Sequence, residues 1–136
     1  MKTTSLELSK RIAKLEGGKR ISVYQWYNQF YGKEEVWKVG KCRYINEGKF
    51  KAIPAYTTDE LSDLLPYMIE KKSDYDDKIE KWFLSIAKTE LNWLTRYTWY
   101  YYEPMNDITQ QAETMVESMG LMYEHLLKKG IIKNKE

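Results

Sequence analysis

The chain has 136 residues, of which 43% are hydrophobic, 31% charged and 15% aromatic, and its net charge is +2. This composition excludes a disordered chain, and the length suits one core, so we predict a single domain over residues 1–136. No run reaches the roughly 20 apolar residues that span a bilayer, and the first residues lack the apolar centre of a secretory signal. We therefore expect a cytoplasmic protein without a membrane contact.

Residues that support catalysis or metal binding are scarce. A single cysteine, Cys42, and a single histidine, His125, exclude an internal disulfide and the CxxC and HExxH motifs, and no phosphate-binding glycine loop is present. The acidic run DYDDK at residues 74–78 lacks the glycine and closing glutamate of a calcium loop, which favours a solvated loop. We predict no metal site, no cofactor and no catalytic residue, and a small uncharacterised enzyme remains a second alternative.

The two halves of the chain differ in charge. Residues 1–57 hold 12 Lys and Arg against 5 Asp and Glu, a net +7, whereas residues 58–136 hold 10 against 15, a net −5. Such asymmetry is typical of nucleic-acid binding, or of two halves that attract each other within one fold. Neither half contains five consecutive like charges, which favours the internal explanation. The N-terminal half is basic and less regular in pattern.

The first predicted element is a helix over residues 5–16. Leu8, Ile12 and Leu15 lie at helical spacing, Ser5 or Thr4 can cap the start, and a glycine pair follows the end. For residues 20–50 the sequence pattern does not decide between helix and strand. The segment VYQWYNQFY is rich in β-formers but also fits one helical face. The segment EEVWKVGKCRYI is either irregular or alternates like an edge strand. The stretch NEGKFK favours a turn.

A second helix is predicted over residues 58–65. Thr57 and Glu60 have the spacing of a capping box, in which each side chain accepts a backbone N–H of the other residue. Leu61, Leu64 and Leu65 supply its buried face. Pro66 ends the helix, because proline cannot continue it.

An aromatic hairpin is predicted over residues 80–102. Alternation places Trp82, Leu84 and Ile86 on one face of its first strand and Phe83, Ser85 and Ala87 on the other. In its second strand, LNWLTRYTWYYY, the faces are Trp93, Thr95, Tyr97, Trp99 and Tyr101 against Leu94, Arg96, Thr98, Tyr100 and Tyr102. Trp, Tyr and Thr favour a pleated sheet.

The longest predicted helix covers residues 106–129. Its apolar stripe recurs at spacings of four and three and comprises Ile108, Ala112, Met115, Met119, Met122 and Leu126. Methionines at this spacing indicate a core packed against aromatic rings rather than a metal site. We predict that the stripe covers the face with Trp93, Tyr97 and Trp99. Gly120, in mid-helix, indicates a close approach to a large ring.

These elements predict an α+β fold in which a small antiparallel sheet is packed by the long C-terminal helix, the short helix and the N-terminal helix. The order of SLELSKRIAKL, IPAYTTDELSDLLP, the aromatic hairpin and LLKKGII resembles small accessory proteins encoded by phages and prophages. Where such proteins have a glycine- or aspartate-rich hairpin turn, this chain has KTELN. The resemblance implies an α+β domain without a known catalytic motif, acting in the host cytoplasm.

The aromatic excess and the lack of catalytic motifs predict a non-catalytic module that binds a host protein, its own copy or a small ligand. The alternative is a nucleic-acid- or nucleotide-binding protein using the basic aromatic segment 19–51, because bases stack on rings and phosphates need cations. The candidate binding residues are Trp26, Tyr27, Tyr31, Lys41, Arg43, Leu94, Arg96, Tyr100 and Tyr102.

Overall fold

A computed structural model describes residues 2–17, 22–41, 52–72, 77–99 and 108–132, apart from the side chains of residues 29–31. Ten elements lie within these ranges. The helices are α1 (Leu6–Glu16), α2 (Thr58–Leu64) and α3 (Met115–Lys128). The strands are β1 (Tyr24–Tyr31), β2 (Glu34–Lys41), β3 (Ala52–Ala55), β4 (Met68–Lys72), β5 (Ile79–Lys88), β6 (Trp93–Trp99) and β7 (Ile108–Ala112).

The described strands form two antiparallel sheets. The first has the order β2-β1-β3 and the second the order β4-β5-β6-β7. The C-terminal helix α3 packs on β6 and β7 of the second sheet. The predicted α+β class, with an antiparallel sheet under a C-terminal helix, is confirmed, and the first sheet is an addition to it.

The ambiguous segment after residue 20 forms a hairpin of two strands. Gly32 adopts a φ of 67°, which glycine tolerates best, and the chain reverses there from β1 into β2. The β-formers of VYQWYNQFY therefore prevailed over the helical interpretation, and β2 is an edge strand of its sheet. The predicted turn at residues 46–51 lies outside the described residues.

The predicted caps of both short helices are formed. The Ser5 side chain accepts the Leu8 N–H at the start of α1, and Gly17 ends that helix with a φ of 70°. At α2 both halves of the capping box between Thr57 and Glu60 are formed. Caps are recognisable in sequence because they depend on residues three or four positions apart.

The aromatic hairpin is confirmed as β5 and β6, with residues 100–102 outside the described part of the chain. The two strands pair from Trp82 opposite Trp99 to Lys88 opposite Trp93. Strand β4, which the sequence analysis did not predict, pairs with the outer edge of β5. Its sequence MIEKK is short and charged, so its strand conformation depends on that pairing rather than on local pattern.

The predicted start of the last helix at residue 106 is wrong. Residues 108–112 form β7, and α3 begins at Met115, where the Thr114 side chain accepts the Glu117 N–H. Ile108 and Ala112 point toward the same face in either conformation, because residues four apart share a face of a helix and also of a strand. The apolar spacing therefore could not distinguish them.

Helix α3 lies at the centre of the described fold. The second sheet contacts one side of it, and α1 packs on it through Glu117, Gly120 and Glu124. Helix α2 also contacts α3 and adds Leu61 and Leu65 to the core beside β4 and β5. The buried core comprises Leu8, Ile12, Tyr56, Leu61, Leu65, Ile69, Trp82, Tyr97, Val116, Met119, Met122, Tyr123 and Leu126.

Candidate functional site

The second sheet has an inner face that packs on α3. Thr95 on β6 is buried, and its Oγ1 lies 2.9 Å from the Ser118 Oγ of α3. Tyr97, two residues further, is fully buried in the core with Met119, and its hydroxyl donates to the Pro66 carbonyl oxygen at 2.6 Å. Burial raises the pKa of the Tyr97 hydroxyl. The predicted contact between this face and the methionine stripe is confirmed for Tyr97, which shares the core with Met119 and Met122, and for Trp99, which packs against that core.

The opposite side of this sheet, which we call the reverse face, carries the side chains that alternate with the inner ones. One row across it joins Met68, Phe83 and Thr98, and the next joins Ser85, Arg96 and Thr109. A third row joins Ala87, Leu94 and Gln111. Because adjacent strands place paired residues side by side, these three rows form one continuous surface.

The reverse face combines apolar side chains with polar and charged ones. Phe83, 40% exposed, lies beside the half-buried Met68 in the first row, and Leu94 is half-buried two rows away. Arg96 is half-buried on β6, while Lys81 and Glu70 are exposed toward one end. Large apolar side chains with an arginine among them and charges around them are typical of a protein-binding surface.

Two predicted binding residues, Leu94 and Arg96, thus share one surface. Tyr100 and Tyr102 continue the same alternation, but they lie outside the described residues, as does Arg43. Tyr31 ends β1, and its side chain is not described. The structure adds Phe83 and Met68 to the predicted candidates. Alternation along β5 grouped Phe83 with Ser85 and Ala87, but its place on the same face as Leu94 follows from the pairing of β5 with β6, and that of Met68 from the pairing of β4 with β5.

The candidates of the N-terminal half do not form one stacking platform. Trp26 and Tyr27 are consecutive in β1 and therefore point to opposite faces of the first sheet. The Trp26 indole N–H donates to the Thr4 carbonyl oxygen at 3.0 Å, which fixes that ring against the N-terminal segment. Lys41 lies over the Tyr24 ring, with its Nζ 5.9 Å from the ring centre. The ammonium group thus occupies one face of this ring.

A buried polar cluster joins three distant parts of the chain. The Glu16 carboxylate, 1% exposed, accepts the Tyr56 hydroxyl at 2.5 Å and the Tyr123 hydroxyl at 2.6 Å. The two rings meet edge to face, with centroids 5.9 Å apart. Both rings are themselves buried, so a substrate could not reach the carboxylate without opening the core. The cluster therefore serves the fold.

The described residues bring together no metal-binding group, since no three of their His, Cys, Asp or Glu side chains converge. Asp77, from the acidic run, is exposed and lies 3.5 Å from the Lys72 ammonium group. None of the described helices has the length and apolar character needed to cross a bilayer. No family model, curated protein or solved structure matches this chain.

His125 should titrate below the ordinary histidine pKa of about 6.5. Burial on α3 lowers its pKa, and the positive charges of Lys129 and Lys128 lower it further. Because the folded-state pKa is depressed, the stabilising contribution of the neutral ring is present above pH 6.5 and is lost as pH falls through the folded-state value. His125 is the chain's only histidine, so its ring proton signals in an NMR titration report on it alone.

The control for this titration is Lys129→Gln, which removes one neighbouring charge and should move the His125 pKa upward. A pKa above about 6.5 in the unaltered protein would contradict the assigned environment.

Proposed function

We propose that this protein is a non-catalytic accessory module, of the kind that phages encode, which binds a protein partner in the cytoplasm through the reverse face of its four-stranded sheet. The observation that carries the proposal is the clustering of Met68, Phe83, Leu94 and Arg96 on a face opposite the one that α3 packs on. Phenylalanine, methionine and arginine are enriched in protein interfaces relative to the rest of a protein surface.

The arrangement favours a protein partner over nucleic acid. The reverse face combines its apolar side chains with both signs of charge, since Lys81 and Glu70 are Cα partners across β4 and β5. A nucleic-acid surface needs an excess of cations to neutralise phosphates. In the first sheet, Glu34 and Glu35 are exposed in the same edge strand as Lys38 and Lys41, so that strand has no excess of cations.

Site-specific photocrosslinking in bacterial cells tests the proposal. A photoreactive phenylalanine analogue at position 83 should yield a discrete adduct with a partner protein, whereas the same analogue at position 91 should not. Leu91 is the matched control because it is 84% exposed and lies in the turn between β5 and β6, away from the centre of the reverse face. Equal labelling from both positions would contradict the proposal.

A charge reversal then tests the role of arginine. Arg96→Glu should weaken binding of the captured partner by roughly tenfold or more, because a charged interface residue is replaced by its opposite. Lys129→Glu, an equal change at the exposed end of α3, should leave the affinity nearly unchanged. Retention of the unaltered protein on heparin at physiological salt, with no protein adduct from position 83, would instead support nucleic-acid binding.

A further inference from the structure

The two sheets end in four edge strands, and three of them carry features that block the addition of another strand. β2 contains Glu34, Glu35, Lys38 and Lys41, and β4 contains Glu70, Lys71 and Lys72. β3 is four residues long and contains Pro54. Charge, short length and proline are the usual means by which proteins keep sheet edges from pairing with other chains.

Strand β7 has none of these features. Its sequence ITQQA contains no charge, proline or glycine, and it is the outermost strand of the second sheet. Among the described elements, its neighbours are β6 on one side and α3 on the inner face. Among the described edge strands, β7 is therefore the one whose outer backbone N–H and C=O groups are best suited to pairing with a further strand.

We infer that β7 pairs antiparallel with β7 of a second copy of this chain, which joins two four-stranded sheets into one of eight strands. A two-fold axis at Gln110 places Ile108 opposite Ala112 of the second copy and Thr109 opposite Gln111 of the second copy. In this register the backbone groups that point away from β6 meet their counterparts in the second copy. On the inner face Ile108 faces Ala112 and Gln110 faces the Gln110 of the second copy, on the reverse face the polar Thr109 faces the polar Gln111, and no like charges meet.

The position of α3 supports this arrangement. The helix packs on both β6 and β7, so pairing through β7 would bring the two copies of α3 about 10 Å apart, twice the spacing of neighbouring strands. This distance is close to the interaxial separation of 8–10 Å at which helices pack. Neither helix therefore obstructs the pairing of the strands.

The side of α3 that would meet its copy is mixed in character, because Glu117, His125 and Lys128 share it with Leu121 at helical spacing. Ser118 faces the sheet, Gly120 faces α1, and Tyr123 faces the Tyr56 ring beside α2. At 3.6 residues per turn, Leu121 lies on the remaining side, toward the β7 edge, and it is half-buried. Pairing through β7 would cover it further.

Sedimentation equilibrium on the purified chain tests the inference. The unaltered protein should reach a mass twice its 16.3 kDa as concentration rises through the micromolar range. Thr109→Lys combined with Gln111→Lys places lysines opposite lysines across the axis and should raise the dimer dissociation constant roughly tenfold or more. Both positions are exposed, so the fold should be retained, as circular dichroism would verify.

The matched control is Thr109→Lys combined with Gln111→Glu. It changes the same two positions, but each lysine then faces a glutamate of the second copy, so the dissociation constant should stay within about threefold of the unaltered protein. A monomer at roughly 500 µM, or equal association of both variants, would overturn the inference. Because no other partner is present in this test, its failure would leave the proposed role of the reverse face untouched.

Discussion

Replacing Glu16 with alanine should lower the free energy of unfolding by roughly 3–5 kcal/mol, because it removes the shared acceptor of two buried hydroxyl groups. Tyr56 and Tyr123 donate to separate oxygens of this carboxylate inside the core. Urea unfolding followed by tryptophan fluorescence gives the free energy. Lys14→Ala, a change at an exposed position near the end of the same helix, should cost less than about 0.5 kcal/mol.

A double-mutant cycle separates the hydrogen bonds from the other contributions of Glu16. In the Tyr123→Phe background one hydroxyl no longer needs the carboxylate, so Glu16→Ala should cost at least about 1 kcal/mol less than in the unaltered protein. Glu16→Gln, which keeps one acceptor oxygen, should be milder than Glu16→Ala. Additive effects of Glu16→Ala and Tyr123→Phe would show that the 2.6 Å contact contributes little to stability.

The Glu16 cluster illustrates what the sequence could not predict. Its tyrosines lie 40 and 107 positions away, and no periodicity or cap links residues at such separations. Helix boundaries were predictable where they depend on neighbours, as with Ser5 and Gly17 at α1. The start of α3 was not predictable, because Ile108 and Ala112 also fit a helical stripe. The pairing of β7 with β6 is a tertiary contact, and it overrides this local pattern.

The same distinction applies to the candidate site. Alternation along β5 and β6 predicted which side chains share the reverse face, so Leu94 and Arg96 were grouped correctly with each other. Met68 was not grouped with them, because the strand conformation of β4 depends on its pairing with β5. For the N-terminal candidates, the sequence did not decide between helix and strand. Because the segment is a strand, the consecutive residues Trp26 and Tyr27 lie on opposite faces of the sheet and do not form one surface.

The sequence of the last helix also predicted a close approach at Gly120, and the structure identifies its neighbour. A Cβ atom at this position would lie 2.7 Å from the Thr4 Cγ2 and 2.8 Å from the Leu8 Cδ2. Both of these residues are buried, so they have little room to move. The partner is therefore the aliphatic surface around the start of α1, not the large ring of an aromatic residue, and glycine is what lets α1 and α3 pack this closely.

Gly120→Ala should lower the free energy of unfolding by roughly 1–3 kcal/mol, although alanine is about 1 kcal/mol better than glycine inside a helix. The overlap with Thr4 and Leu8 exceeds what the gain in helix propensity offsets, and Gly120→Val, which adds two further methyl groups, should cost more still. Chemical unfolding of both variants gives the two values. A stabilising Gly120→Ala would mean that α1 can move away from α3 without loss of packing.

Leu8→Ala provides the control that locates the clash. Alone it should cost roughly 2–5 kcal/mol, because it leaves a cavity in the core. Combined with Gly120→Ala it should cost less than the sum of the single changes, by about 1 kcal/mol, since the methyl group added at position 120 enters space that the shortened side chain vacates. Strict additivity would place the strain at Thr4 alone, and Thr4→Ser, which removes the contacting methyl group and keeps the hydroxyl bonded to Ser9, would then restore the lost stability.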